Sequence, residues 1–108
     1  MAKDVRIVEL NKAREYQRLI DGTEQSYGLK AGRVFLESGQ ACGQHSTHDR
    51  EEILVILSGT GLLKTGETAE HRIGQGNIAY VPPQTQHDVQ NDGSEPLIYV
   101  FCVVPAEM

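Results

Sequence analysis

An all-β fold, a barrel or a sandwich, is what this chain of 108 residues predicts. Two observations lead there. Short runs rich in β-branched and aliphatic residues recur at regular spacing, as in Glu52 to Leu57 and Leu97 to Val104, and such runs suit a pleated, half-buried surface. Between them stand glycine turns, at Gly59-Thr60-Gly61, Thr65-Gly66-Glu67 and Gly74-Gln75-Gly76. Many short strands punctuated in this way favour a β-fold over a helical or α/β one.

Taken in order, Val5 to Leu10 alternates toward a first strand, after which Asn11 can cap a short helix through Ala13, Tyr16, Leu19 and Ile20. Strands are then expected over Ser26 to Leu29, Arg33 to Glu37, Ala41 to His48 and Glu52 to Leu57. Leu62 to Lys64 and Thr68 to Ile73 flank Thr65-Gly66-Glu67, which has the length and glycine of a tight hairpin. Asn77 to Val81 ends at Pro82-Pro83, where the missing N–H groups stop pairing. His87 to Gln90 and Leu97 to Val104 complete the set.

Side-chain parity along the Glu52 strand separates an inward set, His48, Glu52, Leu54 and Ile56, from an outward set, Ile53, Val55 and Leu57. Both sets contain apolar residues, and both faces of Leu97 to Val104 are apolar as well. An outward apolar face needs a covering layer, so a homodimer is expected.

The length suits a single domain, residues 1–108, large enough to bury about two-thirds of the surface of its unfolded chain. A formal net charge of −5, with no basic stretch and no helix-turn-helix, argues against a nucleic-acid partner. The charged start, Met1-Ala2-Lys3-Asp4-Val5-Arg6, contains no apolar stretch of signal-peptide or membrane-span length, which predicts no membrane partner and a cytoplasmic location. Cys42 and Cys102 are too few for a disulfide framework and read as small structural residues.

The chemistry concentrates in two spaced patterns. In the first, Gly39 is followed by His45, His48, Glu52 and Gly59; in the second stand Gly76, Pro82, His87 and Asn91. Residues four apart on a strand face the same side, so His48 and Glu52 can enter a barrel together, and His87 can join them from a neighbouring strand about 5 Å away. Two imidazoles and a carboxylate are a recognised set for a transition metal with open positions. A carboxylate buried without such a partner charge would be costly.

These segments, roughly Gly39 to Asn91, resemble the paired motifs of the cupin superfamily: G, five residues, HxH, three or four residues, E, six residues, G; then G, five residues, PxG, two residues, H, three residues, N. The resemblance implies a double-stranded β-helix, or jelly-roll, barrel. Two departures stand out. Gln84 occupies the position of the second motif's inner glycine, and the first motif's leading histidine falls on Ser46, with His45 one residue upstream. On a regular strand His45 would face away from His48. A β-bulge would re-aim it, giving the ligand set His45, His48, Glu52 and His87; without one the set is His48, Glu52 and His87.

The resemblance further implies a bound divalent transition metal, whether manganese, iron, nickel or zinc. It also implies an enzyme of oxygenase, decarboxylase or isomerase type acting on a small oxygenated or carboxylated molecule. Glu52 argues against the thiol dioxygenase branch, and the metal motif argues against phosphosugar epimerases. The alternative is a non-catalytic module that captures a small molecule or a metal.

Around this set, Arg50 shares the parity of His48 and Glu52 and could meet an anionic substrate at the mouth, as could Arg33. Tyr80, Phe35, Tyr99, Phe101, Gln84 and Gln86 are candidates for the pocket wall. Glu51 has outward parity, Asp49 reads as a rim residue, and His71, between Glu70 and Arg72, reads as solvent-facing.

Overall fold

The computed structural model describes residues 3–107, so Met1 and Ala2 of the N-terminal segment read above lie outside the described residues. Among the described residues nine strands form: β1 (Gln17–Ile20), β2 (Lys30–Leu36), β3 (His45–Ser46), β4 (Arg50–Ser58), β5 (Thr60–Thr65), β6 (Ala69–Gly74), β7 (Ile78–Val81), β8 (Gln86–Gln90) and β9 (Leu97–Pro105). They make a five-stranded sheet in the order β1-β2-β9-β4-β7 and a four-stranded sheet in the order β3-β8-β5-β6. Every strand pair is antiparallel. The fold is the all-β double-stranded β-helix that the motifs imply.

Between the two sheets lies the core of Leu36, Leu54, Ile56, Leu63, Ile73, Val81, Val89, Leu97 and Tyr99. Its members come from seven strands, β2 and β4 to β9, whose buried positions alternate with less buried ones in the two-residue period of a pleated sheet. On β4 the expected inward Leu54 and Ile56 are buried, while Ile53 and Leu57 are exposed. Beyond Ile56 the register with β9 slips, so that Ile56 and Ser58 meet consecutive residues of β9 and Leu57 is the extra residue of a bulge. Gly59 then turns the chain at φ 87°, and a Cβ there would collide with the Pro96 carbonyl. Glycine is required at that point for both reasons.

Several sequence expectations fail at the N-terminal end. Val5 to Leu10 forms no strand, although it alternates, because it finds no sheet edge; Val5 and Ile7 are each 94% exposed. The helix expected after Asn11 is absent. Its C-terminal half is strand β1, an edge strand paired with β2, because Arg33 of β2 draws in the preceding segment by donating to the Ala13 and Glu15 carbonyls. Ser26 to Leu29 forms bends, and Ala41 to His48 resolves into an isolated bridge at Ala41 and the two-residue β3. Among the described residues no helix is long and apolar enough to cross a membrane.

Candidate metal centre

Three sequence-distant elements bring the site together. His45 on β3 lies directly opposite His87 on β8, their ring centroids 4.2 Å apart and tilted by 59°. Glu52 enters from the other sheet, on β4, in register with Val103 of β9 and Val81 of β7. Each of the three offers one ligand atom, and these atoms all lie within 4.8 Å of one another. Metal–nitrogen and metal–oxygen bonds of about 2.1 Å place donors roughly 3–4 Å apart, so the spacing is of the right size.

Tautomers follow from the hydrogen bonds. A backbone carbonyl can only accept, so Nδ1 of His45, 2.8 Å from the Gly43 carbonyl, must carry a proton, and so must Nδ1 of His87, 3.1 Å from that of Thr85. In the neutral rings both Nε2 atoms are therefore lone pairs. Anchoring of Nδ1 by a carbonyl is the arrangement that orients metal-binding histidines. The consequence is sharpest at His87, whose Nε2 lies 3.1 Å from Glu52 Oε1. Two acceptors at that distance repel unless a proton or a cation lies between them.

Electrostatics agree with this reading. Burial alone would pull the His87 imidazole down, but the Glu52 carboxylate and the Thr85 carbonyl outweigh it, and the net shift is upward. His87 is 2% exposed, and the site therefore holds its positive charge, or a replacement for it, away from bulk water.

His48 is placed differently from expectation. The argument that put it on one face with Glu52 assumed a continuous strand, whereas β4 begins at Arg50 and His48 sits in the preceding turn at φ 53°. It lines the neighbouring cavity without joining the three-residue group. Its amide donates to Ser46 Oγ, at the position of the motif's missing histidine, and its carbonyl accepts from Gln84 N. Gln84 has φ 54°, in the left-handed region, which explains why the motif carries glycine there. His45 needs no bulge, since the two-residue strand already sets it opposite His87.

The cavity beside the group has a volume of about 530 Å³ and an apolar wall of Val34, Tyr99, Phe101 and Val103. Tyr99 and Phe101 thus line it as expected; Tyr80 and Phe35 do not. Tyr80 stands on the outer face and donates to Glu51 at 2.7 Å, confirming the outward parity of Glu51. Arg33 is buried as a clamp on the N-terminal segment and is not among the residues that line the cavity. Asn91, also buried, donates to the Leu36 and Glu95 carbonyls and ties the ends of two strands. His71 is exposed and bonded to Thr65, outside the group. Cys42 lines the cavity, but burial raises its pKa and keeps the thiol protonated.

Sequence reasoning missed Thr47. Buried at 5% exposure, its Oγ1 donates to the Pro82 carbonyl and accepts from Thr85 N, latching the turn before β4 to the loop before β8. The Pro82 of the second motif was the available signal, since a proline that ends a strand leaves a carbonyl to be satisfied.

Residues 32–104 match the family described as the cupin domain. Among curated proteins, an uncharacterized protein of Methanocaldococcus jannaschii is 36% identical over 61 residues, 56% of this chain and 48% of that protein. A glucose-6-phosphate isomerase of Thermococcus kodakarensis is 39% identical over 67 residues, 58% of this chain and 35% of that protein. The chain thus spans less than half the length of these curated relatives. A Bacillus halodurans crystal structure superposes with a TM-score of 0.78 at 19% identity, covering 95% of this chain and 84% of that one. A predicted oxalate decarboxylase of Thermotoga maritima gives 0.77 at 20% identity, covering 83% and 78%. Identities this low speak to the fold alone.

Proposed function

The chain belongs to the cupin family, and on that premise we propose that it is a divalent-metal-binding enzyme acting on a small oxygenated or carboxylated molecule. The observation that carries this reading is the pair of facing acceptors, His87 Nε2 and Glu52 Oε1, with His45 Nε2 as a third lone pair beside them. His45, Glu52 and His87 would hold the ion, with His48 at the cavity edge as a fourth residue able to approach it. A manganese, iron, nickel or zinc ion held this way supplies Lewis-acid polarisation and open positions for substrate oxygen.

The chain's own residues do the rest. Gly43 and Thr85 fix the two rings through their carbonyls, and Thr47 fixes the two loops that carry them. Val34, Phe101 and Val103 present an apolar wall that limits water beside the reacting group. Isomerase and decarboxylase chemistry, the activities ascribed to the Thermococcus kodakarensis and Thermotoga maritima proteins, both fit a site of this kind. A non-catalytic capture module is the competing reading. It draws support from Tyr99, a cavity group that burial keeps protonated and that therefore offers no independent base.

The test is elemental analysis of untagged protein purified without metal-chelate resin from cells supplied with manganese and iron. About one ion per chain is expected. His87→Ala should lose most of it and His71→Ala should retain it; equal retention in the two variants would sink the assignment. Turnover in a screen of small carboxylates, diketones and phenols separates the enzyme from the capture module.

A further inference from the structure

Two cations at the cavity mouth have no part in the metal set. Lys30 on β2 is in register with Val103 of β9, which is in register with Glu52 of β4, so the three side chains share the inward face. Two strand spacings separate Lys30 from Glu52, about 10 Å. Arg50 precedes Glu52 by two residues on the same strand and the same face, about 7 Å away. Both side chains line the cavity, and Val34, Phe101 and Val103 form the apolar wall shared with the metal group.

Neither cation makes an ion pair. Among the described residues the ion pairs are Arg14–Glu37, Lys64–Glu70, Arg72–Asp92 and His87–Glu52. Asp49, the other acid at the mouth, pairs with neither Lys30 nor Arg50. Two cations outside any ion pair, set together at the mouth of an inward-facing pocket, offer a place for negative charge carried by a ligand.

We propose that Lys30 and Arg50 form an anion-holding rim, and that the ligand is a small bifunctional acid. Its carboxylate or phosphate rests on the rim, its short apolar middle lies along Val34, Phe101 and Val103, and its second oxygen function faces His45, Glu52 and His87. The proposal rests on the metal-site reading for that second end. Arginine grips a carboxylate or phosphate through its planar fork, and lysine adds a point charge, so the rim sets specificity for charge while the apolar wall sets the length.

The test uses the manganese-loaded full chain and titration calorimetry. One series is the dicarboxylates from malonate to adipate, a second is phosphonocarboxylates of the same lengths, and a third is the matching monocarboxylates. Diacids of one preferred length should bind about tenfold or more tightly than the monoacid of equal length. In the double variant K30Q/R50Q that advantage should vanish, with metal content and melting temperature unchanged. The better of the two diacid series identifies the rim's anion as carboxylate or phosphate. No preference in the wild type, or a preference that survives in the double variant, overturns the rim. Metal content decides the other reading independently. Should the protein hold no metal, the rim is scored on butyrate and inorganic phosphate: about tenfold weaker binding by the double variant supports it, and equal binding overturns it.

Discussion

Two histidines three residues apart, His45 and His48, meet the site in different ways. His45 has a ring anchored by a carbonyl and a partner ring 4.2 Å away; His48 has a left-handed backbone and a place at the cavity edge. His45→Ala should therefore weaken metal binding by at least about 100-fold, more than the loss of a supporting group outside the ligand set would. His48→Ala should leave stoichiometry intact and reduce affinity by less than tenfold, roughly. Competition titration with a chromogenic chelator reads both, and the reverse ranking would restore the motif's own count from Glu52. The residue types of the site were legible in the sequence, because glycine, histidine, glutamate and proline offsets survive in one dimension. Which histidine faces inward was not, because parity holds only along a continuous strand, and the chain leaves strand geometry at Thr47 to Asp49.

At the level of elements, β4 to β9 follow the hydrophobic runs closely, since each has an inward face that the core rewards. Residues 3–20 resisted reading because their structure depends on partners distant in sequence. Gln17 to Ile20 becomes a strand only because β2 offers an edge, and Val5 to Leu10 has the pattern of a strand without one. The two turns around the site make their own predictions. Thr47→Val keeps the shape but strands the Thr85 amide and the Pro82 carbonyl, a loss of about 1–3 kcal/mol by urea denaturation of the metal-free protein. Gln84→Gly relieves a left-handed φ of 54° and should stabilise the same protein by about 0.5–1 kcal/mol. A destabilised Gln84→Gly would show that the side chain contributes more than its backbone strain removes.

For the whole molecule, the outer face of the five-stranded sheet is the surface on which the expected homodimer is to be tested. Ile53, Leu57, Ile78 and Tyr80 are exposed there, Tyr80 at 60% and Ile78 at 66%, and Ile53 lies directly opposite Tyr80. Between Glu51 and Ser58 of β4 this face carries no formal charge. An uncharged apolar strip can pack on its own copy, as a two-fold contact requires. We propose that the expected homodimer uses β4 and β7 of each copy, with the alternating segment Val5 to Leu10 as the available additional apolar surface. Sedimentation equilibrium at about 10 μM should give the mass of two chains, and I78K/Y80K should give the mass of one with its metal content retained. A wild-type monomer at that concentration would remove this face from the account.

The separation of His45, Glu52 and His87 along the chain has a calorimetric consequence. An unfolded chain keeps Glu52 and His87 thirty-five residues apart, so it presents no preformed site, and any ion that prefers the native arrangement shifts the folding equilibrium by mass action. At free ion one hundred times its dissociation constant the gain is about 2.7 kcal/mol. The rise in melting temperature across a panel of divalent salts thus ranks the ions by affinity, without a substrate and without an assay of turnover.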